Sequence, residues 1–281
     1  MQNKSTSKNP LKLNINEDRI KVVDGVLIEY KEQYRCEELI IPKGVIELGK
    51  SSIASSYAKV MYIPTSVDII SSDSILYAFN VTRLYIENPE IYLGVGSLED
   101  LPKLKEIYIG GQKVDTVVTQ KDGDKGKVYL ERYVGNDKSY KIDDDINIIG
   151  TKAFINCENL ESVEFSQSVC QIKMWAFQGC SSLREVKLSD SVNDIDGWAF
   201  AGCTSLAEIN LSDSIRSIWP GVFEGCTGIK ELTVPLSVNY IASGAFKGWQ
   251  RSQSIRLPRH FKKLRILQKW RKGCKAKIIY Y

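Results

Sequence analysis

The chain has 281 residues, 43% of them apolar and 26% charged, with only eight Pro. That composition excludes disorder, which needs low hydrophobicity and a high net charge, and the length exceeds what one ordinary core requires. The net charge of +4 hides an asymmetry: residues 251–281 carry eleven Lys and Arg and no Asp or Glu, leaving 27 basic against 34 acidic side chains elsewhere.

The chain opens on a polar stretch, Met1 to Asn9, with no apolar run after it. No secretory signal is visible in the sequence as given, so the expectation is a cytosolic protein, or one whose signal was removed before this numbering. No stretch approaches the roughly 18 apolar residues a transmembrane helix needs. Residues 1–16 read as a flexible arm. Residues 17–35 read as a hairpin cap, because Val22-Val23-Asp24-Gly25-Val26-Leu27-Ile28 sets Asp-Gly between two β-prone runs.

From residue 36 to 109 a repeat is present in worn form. Ile41, Ile63, Ile86 and Ile109 each close a strand-like run at steps of 22 or 23, and Pro42 and Pro64 follow where a strand should stop. The next step, to Ile142, is longer by ten residues. The extra segment, within 110–136, contains Lys121-Asp122-Gly123-Asp124-Lys125-Gly126. This turn signal between β-prone runs predicts a hairpin that projects from the stack.

Over residues 137–258 the repeat is sharp. Ala153-Phe154, Ala176-Phe177, Ala199-Phe200, Val222-Phe223 and Ala245-Phe246 recur every 23 residues. Cys157, Cys180, Cys203 and Cys226 keep the same step, and Trp249 takes the next slot. Each pair precedes an alternating run, as in Leu183-Arg-Glu-Val186-Lys-Leu188, and then a shorter one, as in Val192-x-x-Ile195. The register continues through Phe165, Leu188, Leu211, Val234 and Leu257 to Ile279, and residues 259–281 form a basic C-terminal cap.

The run L-x-x-L-x-L at this period is the signature of leucine-rich repeats. The predicted fold is a right-handed leucine-rich-repeat solenoid of about eleven coils, mostly β with short turns and 3-10 segments. One coil has no inside of its own, so its apolar residues are buried only by the coils above and below. At about 4.8 Å per coil the stack makes a rod roughly 50 Å long. The combination of A-F-x-G-C, as in Ala176-Phe-Gln-Gly-Cys180 and Ala199-Phe-Ala-Gly-Cys203, with L-x-x-V/I-x-L and S/P-x-S-V-x-x-I resembles the BspA-type leucine-rich repeats. The resemblance is close over 150–250 and limited to spacing and apolar positions over 20–110. It implies a bacterial protein, in some members a surface adhesin.

Few residues suggest chemistry. The four Cys at one repeat position predict a buried column, since Cys is small and apolar, and no close Cys pair suggests zinc. Cys36, Cys170 and Cys274 stand apart. His260 is the single His, so neither a hydrolytic triad nor a His metal cluster is available. Asp122-x-Asp124-x-Gly126 faintly resembles a calcium loop, but Tyr133 occupies the position that needs Glu. No phosphate-binding glycine motif is present. No catalytic residue, metal or cofactor is expected.

The strand face is more informative. The residue before each anchor should point outward, since strand side chains alternate. That column contains Tyr62, Tyr85 and Tyr108 in succession and later Lys187; the column two residues earlier contains Val60 and, further on, Glu185, Glu208 and Glu231. The Tyr strip reads either as a contact surface or as aromatic pairs that stabilise neighbouring strands. The Glu strip places like charges side by side, which costs stability, and Lys187 and Lys230 flank it. Trp175 and Trp198 share a column at the rim of a turn.

These features predict a non-catalytic binding protein that presents its strand face to a protein or glycan, with no membrane insertion. The alternatives are an anionic-surface or nucleic-acid binder through the basic cap and an intracellular protein scaffold. The acidic strand face argues against nucleic acid along the body of the solenoid.

Overall fold

The computed structural model describes residues 19–31, 37–54, 56–121, 126–263 and 270–281. The 1–16 arm, Cys36, the Asp122 and Asp124 pair and part of the basic cap lie outside the described residues.

Among the described residues the chain is a β-solenoid with one helix, the four-residue His260–Lys263. Eleven main strands, from Glu38–Ile40 to Lys277–Tyr280, bound about ten turns. Consecutive main strands pair in parallel at the repeat period, for example Met61↔Leu84 and Val163↔Val186, except from Glu106–Ile109 to Ser139–Lys141 and from Glu208–Ile209 to Glu231–Thr233. A second column of two-residue strands runs beside them, with Ile149↔Ile172 and Ile172↔Ile195 in register. Two-residue strands suffice because each coil is held by its neighbours rather than by its own length.

The core is a set of columns. Phe154, Phe177, Phe200, Phe223 and Phe246 are fully buried and stack with centroids 4.6 to 6.1 Å apart and planes within 11°. Beside them the Cys180, Cys203 and Cys226 thiols donate to the carbonyls of Phe154, Phe177 and Phe200 at 3.0, 3.2 and 3.1 Å. Trp249, in the next slot, donates its indole N–H to the Phe223 carbonyl at 2.8 Å. Burial is the main cause that raises these thiols above their ordinary pKa, to about 12 for Cys226.

In the first half the Ala-Phe pair is replaced by Ser52-Ile53, Ser74-Ile75 and Ser97-Leu98, all buried. The backbone after Ile53 and Ile75 runs straight enough for a third short strand, Ile53–Ala54 paired with Ile75–Leu76. In both halves the residue before the pair is left-handed: Ser51, Asp73 and Gly96 have φ of 57°, 57° and 81°, and Lys152, Trp175, Trp198, Gly221 and Gly244 have φ between 57° and 78°.

Three expectations are corrected. Val60, expected to face outward, is 6% exposed. The last anchor is not Ile279: Leu257 pairs with Tyr280 and Ile255 with Ile278, one residue off the expected register. Lys277-Ile-Ile-Tyr280 offers two apolar registers, and the one that packs Ile278 on the core below prevails. The hairpin near 117–133 does not project from the stack. Its second strand, Val128–Tyr133, has Leu130, Glu131, Arg132 and Tyr133 buried, and it pairs in parallel with Ile148–Ile149. It is built into the solenoid because Leu130 and Tyr133 close the start of the second core, while Val118 of its first strand belongs to the first core.

Candidate binding face

Tyr62, Tyr85 and Tyr108 lie on consecutive main strands in exact register, Tyr62↔Tyr85 and Tyr85↔Tyr108. Their rings are half-exposed and form one ladder, with centroids 4.9 and 4.6 Å apart and planes 11° and 13° from parallel. The spacing is that of neighbouring β-strands, so the backbone sets the stack. Ile40 stands opposite Tyr62 at one end and Lys113 opposite Tyr108 at the other. Lys113 is held by Glu106 at 3.1 Å. Burial raises the Tyr62 phenol above its ordinary pKa, with Glu38 and Tyr85 adding to the shift.

This geometry limits what the ladder can recognise. Both faces of Tyr85 are covered by its neighbours, so the strip offers ring edges and a row of phenol hydroxyls. A sugar that stacks on an aromatic ring needs an open face. A protein surface can use edges and hydroxyls directly, as Tyr does in contact hot spots.

The acidic strip is less uniform than its spacing implies. Glu185 and Glu208 pair across adjacent strands. Glu185 is bridged to Lys187 at 3.4 Å, and Glu231 meets Arg256 at 3.6 Å and accepts a hydrogen bond from the Ser254 hydroxyl at 3.0 Å. Arg256, rather than Lys230, thus serves Glu231. Glu208 is exposed and has no ion-pair partner among the described residues. The structure therefore gathers the three Tyr in one ladder and leaves the acidic residues on strands beyond the second hairpin, with only Glu185 and Glu208 in one ladder.

The strand columns do not reveal other exposed aromatics. Trp219 is 38% exposed, donates its indole N–H to Asp194 at 3.0 Å and meets Tyr240 edge to face. Trp175 and Trp198 stack at 6.2 Å, with the Lys152 ammonium 5.4 Å from the Trp175 ring centre and the Trp198 indole N–H on Glu224. Their shared position in the repeat was the signal for that second stack. Among the described residues no group of three or more His, Cys, Asp or Glu is placed to hold a metal ion.

The family model described as the BspA type leucine rich repeat region matches residues 28–119 and 139–268, in six copies. The chain belongs to the BspA-type leucine-rich repeat family. The unmatched residues 120–138 include the whole second strand of the internal hairpin. No curated protein matches the chain. Among solved structures, a leucine rich repeat protein of T. pallidum is similar at 25% identity and a TM-score of 0.50, over 59% of this chain and 83% of that one. A leucine rich cell surface protein of Faecalibacterium prausnitzii is similar at 23% identity and a TM-score of 0.64, over 87% of this chain. The chain spans 59% of that protein's length. These neighbours share the solenoid fold. The repeat family points to a role in protein interaction.

Proposed function

We propose that the chain is a non-catalytic binding protein that presents its first-half strand face to a protein partner. The Tyr62–Tyr85–Tyr108 ladder carries this reading, because it is a pre-ordered aromatic strip whose free parts are edges and hydroxyls. Stacking fixes the rings before contact, so little side-chain entropy is lost on binding. Such a surface also suits an adhesin-like or scaffold role, the first being the reading that the bacterial relatives favour.

The test compares the native chain with the triple variant Tyr62→Ser, Tyr85→Ser, Tyr108→Ser in capture from source-cell and host extracts, beside a glycan array. The expected result is a protein retained by the native chain and lost by the variant, with an unchanged circular dichroism spectrum. Equal capture by both chains removes the ladder from the site. Glycan binding that survives the substitutions moves the site elsewhere.

The basic end supports a second reading, an anionic partner. Arg251, Arg259, Lys262, Lys272, Lys275 and Lys277 are exposed, and among the described residues none is in an ion pair, while the apolar Phe261, Trp270 and Ala276 are packed inward. Binding of this kind weakens steeply with salt. Retention on an anionic matrix that ignores salt would exclude it.

A further inference from the structure

The stack is interrupted once, at the second hairpin. On one side lies a core that runs from Leu27 to Ile107 and is joined by Val118 of the hairpin, on the other a core that runs from Leu130 to Ala276. Neither ladder crosses: Glu106–Ile109 does not pair with Ser139–Lys141, nor Tyr92–Leu93 with Val128–Tyr133. Among the described residues no backbone-to-backbone hydrogen bond joins residues up to Lys113 to residues from Val117 onward. Both ladders also break further on, the main one between Glu208–Ile209 and Glu231–Thr233 and the short one between Asp194–Ile195 and Ser217–Ile218, but there the turns stay bonded, as in Gly202 N–H to Glu224 carbonyl at 2.8 Å.

Side chains take over at the interruption. Arg132, 2% exposed, donates to the Leu101 carbonyl at 2.8 Å on one side and the Lys152 carbonyl at 3.0 Å on the other. The Lys152 ammonium meets Asp100 at 2.5 Å, both half-hidden from solvent or more. Glu131, 3% exposed, accepts the Gly96 N–H at 2.9 Å through one oxygen. Its other oxygen, the Arg132 Nε and the Ser97 hydroxyl are buried with no hydrogen-bond partner.

The two sides are also built alike. The first hairpin, Ile20–Val23 with Val26–Tyr30, and the second, Val117–Lys121 with Val128–Tyr133, are antiparallel and carry a register shift at the same place, after Lys21 and after Val118. Each sends its second strand into parallel pairing with the next coil, Leu27↔Leu48 and Leu130↔Ile149. Each core thus has its own N-terminal cap.

We propose that this junction is a joint: the two capped modules open relative to each other while both stay folded, and a proton on Glu131 holds the joint closed. Ionised, Glu131 would be a buried anion that faces Glu99 from the preceding turn, and Glu99 in turn stands near Asp100 and Asp73. The nearby cations are engaged, Lys152 by Asp100 and Arg132, on the same strand, by carbonyls, and Thr151 is turned to Glu99. Opening returns the carboxylate to water. Burial, its largest influence, raises Glu131 to about 7, against the Gly96 hydrogen bond and with help from Glu99. The sign follows: closure is strongest below the ordinary carboxylate range, weakens as pH rises toward about 7 and is weakest above it. The Tyr ladder lies on one module and Glu185, Glu208 and Glu231 on the other, so the joint sets whether both strips meet one partner. The joint stands whether or not the Tyr ladder binds.

Hydrogen exchange on the full chain tests this, at about pH 5 and pH 8, with rates corrected for intrinsic exchange. The reporter is the Gly96 amide; Ile53 N–H, bonded to Ser74, and Phe177 N–H, bonded to Ala199, report on the two modules. Gly96 protection is expected to fall by tenfold or more between the two pH values, at up to about tenfold per unit in the titrating range. Ile53 and Phe177 should hold theirs. Glu131→Gln should make Gly96 insensitive to pH, and Asp100→Asn should raise its exchange at both values. Gly96 exchanging in step with both references, or a pH dependence that persists in Glu131→Gln, overturns the joint.

Discussion

Leu27 and Leu130 hold the same position in two different hairpins. Each is fully buried, and each offers its carbonyl to a glycine N–H of the next coil, Gly49 at 3.0 Å and Gly150 at 2.9 Å. An end coil would otherwise expose core and a pairing edge, and both hairpins supply what a missing preceding coil would have supplied. Leu130→Ala should destabilise the second module by about 2–5 kcal/mol, the range for a buried Leu truncation. Hydrogen exchange at Phe177 and Ile53 reads the outcome: the Phe177 amide should lose protection and the Ile53 amide keep it. Equal losses at both would mean one cooperative stack.

The Phe column carries the second core. Phe200 is stacked on both sides, 5.2 Å from Phe177 and 6.1 Å from Phe223. Phe200→Ala should cost about 3–5 kcal/mol, and Phe200→Leu less, since the cavity left is smaller. Urea unfolding followed by circular dichroism measures both.

The thiols should differ in reactivity. Cys180, Cys203 and Cys226 are buried and their burial raises them away from the thiolate form, so they should resist alkylation in the folded chain. Cys170 is half-exposed and should react before them. Mass spectrometry after a short iodoacetamide pulse gives the order. Early labelling of Cys203 would contradict a closed column.

Much of the fold could be read from the chain because the period places side chains by arithmetic: the Phe and Cys columns, the second strands and the Tyr strip all follow from the 22–23 step. Three features could not. Ser52-Ile53, Ser74-Ile75 and Ser97-Leu98 stand where the second half has Ala-Phe, and small polar residues give no apolar signal. Lys277-Ile-Ile-Tyr280 is ambiguous by one residue, and only packing on Ile255 selects the register. Glu131-Arg132 reads as an exposed polar pair, because a buried ion network depends on partners some 30 residues away, such as Leu101. For the site, spacing brought the three Tyr together but could not give ring orientation, which is what separates a stacked ladder from three open faces.

Gly221 tests the turn geometry. Its φ is +64°, and an added Cβ would collide with the Trp198 indole that lies over it. Gly221→Ala should therefore destabilise the chain by roughly 1–2 kcal/mol from the left-handed backbone alone, and by more from displaced indole. Trp fluorescence should shift with it. An unchanged melting temperature and emission spectrum would mean that Trp198 is loosely held.

The binding face itself is tested most directly by tyrosine-selective footprinting of the chain, free and with its captured protein. Tyr57, Tyr77 and Tyr92 are 56%, 54% and 50% exposed and lie off the ladder, so they serve as internal controls. Protection of Tyr62, Tyr85 and Tyr108 on binding, with Tyr57, Tyr77 and Tyr92 still labelled, is the predicted result. Protection of the controls with the ladder still labelled would contradict it.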